Sequence, residues 1–153
     1  WDYGASSLIN RSCGIDQSIL GKPIAASPTG LVYQHEDGYD ADTVPITPVI
    51  ETGWMALSEG HDVVFMDWVL FDMKFIPYNS DDQSAQVQMT VYSTMYPNET
   101  ARSYGPYTFT SATTYQNLRV RGRLVKFRFT STDAGSYWRI GGNKARLAPS
   151  GTR

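Results

Sequence analysis

Residues 63–75 are the most constraining stretch of this chain. At the two-residue period of a strand, Val63, Phe65, Val69, Phe71, Met73 and Phe75 fall on one face, while Val64, Met66, Trp68 and Leu70 fall on the other. A strand apolar on both sides must be covered on both sides, so it is either central in a layered β fold or part of an interface. Trp68, which interrupts the second face with the largest side chain there, is expected to be buried in the core or between subunits.

The remaining pattern is also that of strands. Residues 86–94 alternate, with Val87, Met89 and Val91 against Gln88, Thr90 and Tyr92. Segments 49–57 and 63–75 flank the polar insert Ser58-Glu59-Gly60-His61-Asp62, which suits a hairpin loop. Residues 118–129 place Leu118, Val120 and Leu124 opposite Arg119, Arg121 and Arg123, then change phase to Val125, Phe127 and Phe129 against Lys126 and Arg128. That change predicts a bulge near 122–125. Segments 137–140 and 144–147 surround Gly141-Gly142-Asn143, a turn that predicts two short strands. Ten Tyr, six Phe and four Trp fit half-buried pleated surfaces, and no apolar stripe of helical period exceeds two turns. The fold class expected is all-β, an antiparallel, jelly-roll-like β-sandwich with minimal helix.

The first 45 residues read differently. Gly4, Gly14, Gly21, Pro23, Pro28, Gly30 and Gly38 punctuate short apolar pieces such as 24–26 and 31–33, and Pro45 and Pro48 make the following stretch an extended connector or an edge. Two parts are expected: a short-strand segment over 1–45 and the sandwich over 46–153. A chain of 153 residues has enough length for one real core without cross-links. Cys13 is the only cysteine, so no intrachain disulfide can form, which fits assembly in a cytoplasm; it is expected to be a small buried, inert residue. No run of 18 apolar residues and no signal-peptide pattern is readable, and a start at Trp1 suggests a fragment of a longer protein.

A formal charge of −2 hides a polarity: residues 1–76 carry eleven acids and three bases, residues 77–153 four acids and ten bases. Such halves suit docking on each other or contacts between neighbouring subunits, an effect that salt screens. The basic strand Arg119, Arg121, Arg123, Lys126 and Arg128, joined by Arg139, Lys144 and Arg146, is the main candidate site, either a path for a phosphate backbone or a solvated or intersubunit face. Its phenylalanines alternate onto the apolar side, which suits a core better than a base-stacking platform. Trp68, Tyr92 and Tyr104 are candidate interface residues. With Tyr96, Tyr107 and Tyr115, the tyrosines would alternatively form a sugar-stacking surface.

Catalytic and metal patterns are weak. His35 and His61 lie in polar turns without a nucleophile elbow, and no pair of carboxylates stands out from the rest. The loop His35-Glu36-Asp37-Gly38-Tyr39-Asp40-Ala41-Asp42 has the oxygen ligands calcium would need but lacks EF-hand spacing, so solvated or subunit-facing carboxylates are the preferred reading. Gly141-Gly142 leads into a strand, whereas a phosphate loop needs a helix N-terminus. No enzyme activity, cofactor or metal is expected.

Several phrases, Gly30-Leu31-Val32-Tyr33-Gln34-His35-Glu36 with Asp40-Ala41-Asp42, Glu51-Thr52-Gly53-Trp54, Arg121-Gly122-Arg123 and Tyr137-Trp138-Arg139-Ile140-Gly141-Gly142, together resemble the C-terminal part of tail nozzle or tail-hub proteins of short-tailed bacteriophages. Thr43 departs from that pattern where glycine is expected. The resemblance implies that residues 1–42 are the closing strands of a propeller-like domain and that an appended sandwich follows from residue 49. It also implies a virion structural protein of the phage tail or neck, forming a homo-oligomeric ring around the DNA exit channel. Its partners would be other tail, adaptor or fibre proteins, with non-specific contact to phage DNA. The competing expectation is a carbohydrate- or receptor-binding β-sandwich module of a phage fibre.

Overall fold

The computed structural model of the chain describes residues 11–17, 21–41, 44–59, 61–77, 85–133 and 136–151. Those residues fall in two units divided between Gly38 and Tyr39, ahead of the boundary read from Pro45 and Pro48. Among the described residues every regular element is a strand, and no helix is long and apolar enough to cross a membrane.

The N-terminal unit holds β1 (Cys13–Ile15), β2 (Ile24–Ala26) and β3 (Val32–Gln34), an antiparallel sheet in that order. The turn between β2 and β3 is built by Ser27: its backbone N–H donates to Leu31 O at 2.8 Å, and its hydroxyl accepts from the Thr29 N–H. Gly30 closes the turn at φ +85°, a conformation glycine adopts without strain. Residues 1–10 and 18–20, part of the propeller-like expectation, lie outside the described residues.

The second unit begins with a two-stranded ribbon, β4 (Asp40–Ala41) and β5 (Val44–Pro45). Then follow β6 (Val49–Glu51), β7 (Met55–Ala56), β8 (Val64–Pro77), β9 (Gln86–Thr94), β10 (Arg102–Thr110), β11 (Gln116–Gly122), β12 (Leu124–Thr130) and β13 (Ser136–Pro149). They form the expected antiparallel β-sandwich. One sheet runs β10-β9-β12-β6, with β7 also on β12, and the other runs β11-β8-β13. Val87, Met89 and Val91 of β9, Val125, Phe127 and Phe129 of β12, and Leu118 and Val120 of β11 share one buried core with Met66, Val69 and Phe71 of β8. Phe71 joins the sheets, meeting Phe109, Phe127 and Phe129 edge-on at ring-centre distances of 5.9, 5.4 and 4.9 Å. Edge-on rings place positive edges on negative faces, worth about 0.5–1.5 kcal/mol per pair beyond burial.

Three expectations are corrected here. Segments 49–57 and 63–75 are not a hairpin: 49–57 runs along β12, with Thr52 N–H donating to Phe127 O and Leu57 N–H to Arg123 O, and the polar insert crosses to the other sheet. Over residues 64–69 both edges of β8 are taken, by β11 and β13, so no edge is left there for the segment that precedes it. The phase change in 118–129 is a change of sheet at Arg123, not a bulge. Leu118 and Val120 look into the core from one side, Val125, Phe127 and Phe129 from the other, so the parity flips while the burial continues. Gly122 marks the crossing, where a Cβ would stand 3.0 Å from Ser93 Cβ. Finally, β13 is one strand of 14 residues rather than two. Gly141-Gly142 absorb a bulge between Ile140 and Asn143 instead of reversing the chain, and Gly141 lies where a Cβ would come 3.0 Å from Asp72 Oδ2.

The central strand β8 also changes phase. Its buried residues are Val64 and Met66, then Val69 and Phe71, because the register against both neighbours shifts around Asp67. Neither parity read from the sequence therefore supplies the whole core face. Phe65, Trp68 and Leu70 are left on the outside, half-buried. Trp68 is thus not buried in the core.

Candidate interaction surfaces

The outer face of the β10-β9-β12-β6 sheet is organised around Lys126. Alternation puts Lys126 and Arg128 outward from β12, because Val125, Phe127 and Phe129 point inward. Lys126 Nζ donates to Glu51 Oε1 of β6 at 2.8 Å and stands over the rings of Trp54 and Tyr92, 5.3 and 5.0 Å from their centres. A cation between two π faces and a carboxylate is satisfied on every side. The bond from Lys126, reinforced by Arg128, holds the Glu51 carboxyl below its ordinary range. Arg123, at the sheet crossing, lies over Tyr96 at 5.5 Å. Tyr92 is thus committed to Lys126. Tyr104, on β10, packs with Tyr107 against the core, and burial together with the neighbouring Tyr104 pushes the Tyr107 hydroxyl up.

The outer face of the β11-β8-β13 sheet has another character. Phe65, Trp68 and Leu70 form its central stripe on β8. On one side stand Arg119 and Arg121, exposed because Leu118 and Val120 turn inward. On the other, register places Lys144 beside Leu70 and Arg146 beside Trp68. Arg146 grips Asp67 with two nitrogens: Nε lies 2.8 and 2.7 Å from the two carboxylate oxygens, and Nη2 also donates. This fork holds the Asp67 carboxyl below the usual aspartate range. Arg121 Nη2 donates to Ser150 O at 2.8 Å. From residue 141 to 149, β13 is exposed on both faces, and its far edge is unpaired among the described residues.

The basic strand read from the sequence is therefore split. Arg119 and Arg121 share a face with Arg139, Lys144 and Arg146, whereas Lys126 and Arg128 point from the opposite side of the sandwich. A single phosphate backbone cannot follow both. Sequence reasoning missed Glu51 and Trp54 as partners of Lys126; they lie more than 70 residues away, and no local pattern marks them.

In the N-terminal unit, Arg11 Nε donates to His35 Nε2 at 3.1 Å, and the Arg11 guanidinium stacks on Tyr33 at 4.1 Å. A concavity of 530 Å³ opens beside them, lined in part by Cys13 and Ile15. Cys13 is exposed, contrary to expectation, because among the described residues the three-residue strands of this sheet leave every residue of β1 open. Of the acidic loop, Asp37 pairs with Lys22, and Asp42 lies outside the described residues. Among the described residues no three His, Cys, Asp or Glu side chains gather as metal ligands. No protein-family model matches the sequence, and comparison with curated proteins gives no significant relative.

Proposed function

We propose that this chain is a structural module of a bacteriophage tail or neck that assembles with copies of itself into a ring around the DNA exit channel. Its role is to join neighbours, and no residue performs chemistry. The observation that carries the reading is the outer side of β8: a central strand leaves Phe65, Trp68 and Leu70 only half-buried between two basic strands, although central strands of this composition are normally covered. The resemblance of several sequence phrases to tail nozzle proteins sets the context, with the N-terminal strands read as the end of a propeller-like domain. Other tail, adaptor or fibre proteins are the further partners, and the virion is the place of action.

A second reading, a glycan-binding module, draws on Trp54, which is 44 % exposed on the opposite face. Assembly is preferred because Lys126 already occupies the space over both Trp54 and Tyr92, where a sugar ring would stack. Electron-microscopic class averages of the purified chain test the proposal. Rotationally symmetric rings are expected; a lone monomer that retains glycans would favour the second reading.

A further inference from the structure

We infer that the notch where β11 ends and β13 bulges is a binding site for a small neutral polyol, a single pyranose unit of a glycan, held by Asp72, Thr114, Asn143 and Lys144. The notch is formed within one chain, so it goes beyond the assembly reading and does not depend on it. Two features of the sheet open it. β11 pairs with β8 only as far as Val69, so from Leu70 onward that side of β8 offers backbone N–H and C=O groups that no strand takes up among the described residues. On the other side β13 bulges between Ile140 and Asn143, opposite Asp72. The concavity left there measures 460 Å³, and Leu70, Asp72, Thr114, Asn143 and Lys144 are in its wall. Small-molecule sites run from about 300 to 1,000 Å³.

The bulge glycine and the charges around it fix the chemistry. A Cβ on Gly141 would come within 3.0 Å of Asp72 Oδ2, so glycine there lets the carboxylate lie across the bulge. Asp72 and Lys144 make no ion pair or hydrogen bond among the described residues, whereas Asp67 and Arg146 on the same two strands grip each other. Both ends of a donor and acceptor set are therefore open to a ligand. Lys144 disfavours a cation in the notch, and Asp72 disfavours an anion such as a phosphate. Hydroxyl groups answer both, since each donates to the carboxylate and accepts from the ammonium or from the Asn143 amide. The half-buried Leu70 side chain offers an apolar contact to the C–H face of a sugar ring.

The test is NMR on the intact chain, with the methyl glycosides of glucose, galactose, mannose and N-acetylglucosamine as probes at millimolar concentration and free glycine as a zwitterionic probe. At least one glycoside is expected to bind, by saturation transfer, and to shift the amide resonances of residues 70–73 and 142–144. Asp72→Ala is expected to weaken that binding at least about tenfold, and Lys144→Ala to weaken it less. Both positions are exposed, and circular dichroism establishes that the variants fold. The site is overturned if no glycoside binds, if glycine alone binds, or if both variants bind at wild-type strength. Loss of glycoside binding in Trp54→Ala, with Asp72→Ala unaffected, would place the sugar on the opposite face and overturn it as well.

Discussion

The two sheets of the sandwich present similar apolar faces to the core and opposite solutions to the outside. On the β10-β9-β12-β6 sheet the outward charge is closed on itself: Lys126 is held by Glu51 and lies over Trp54 and Tyr92. On the β11-β8-β13 sheet the stripe Phe65, Trp68 and Leu70 runs between bases that outnumber the acids Asp67 and Asp72. A face whose charges are satisfied by its own neighbours has little to offer a partner, and one that leaves apolar surface between like charges has much. The difference teaches that burial pattern alone does not mark an interface; the state of the surrounding charges does.

The comparison is tested first where the two sheets meet. Phe71→Ala removes the ring that contacts three others and should cost about 3–5 kcal/mol in urea unfolding, since a buried aromatic leaves both lost transfer energy and a cavity. Next in size is Gly105→Ala on β10, where φ is +108° and a Cβ would meet Met89 O at 2.8 Å. A loss of about 1–3 kcal/mol is expected there, with unchanged association. Trp68→Ser should shift stability by no more than about 1 kcal/mol, because the side chain is only half-buried in the single chain. A loss comparable to that of Phe71→Ala would mean that the outer stripe is core and would erase the contrast.

The smallest effect concerns pH. Asp67 is held below the ordinary aspartate range by Arg146, so its contribution is fully present above the unfolded aspartate value and is lost as pH falls through the lower folded value. A carboxyl-resolved NMR titration should show this depressed midpoint, and Arg146→Ala should return it to the ordinary range. An unchanged midpoint in that variant would remove the fork as its cause.

The sandwich was legible because alternation is local: 86–94 is read as a strand and found as one. Strand partners were less legible. The 118–129 phase flip is visible in sequence, but a bulge and a change of sheet give the same parity signal, and only the pairing of β11 with β8 and of β12 with β9 separates them. Strand β10 escaped detection because Gly105-Pro106 sits in its middle; an edge strand tolerates proline where a central one would lose a ladder bond. For the site, the bases and Trp68 were readable as residue types. Their division between two faces depends on the sheet change at Arg123 and on the shift around Asp67, which are consequences of pairing and not of composition.

The central claim is that assembly covers one outer face and leaves the other open. Hydroxyl-radical footprinting of the chain, dilute and assembled, reads both at once, since Trp68 reports on one face and Trp54 on the other. The account predicts that oxidation of Trp68 slows on assembly while Trp54 reacts at the same rate. Equal rates for Trp68 in both states, or protection of Trp54 alone, would contradict it.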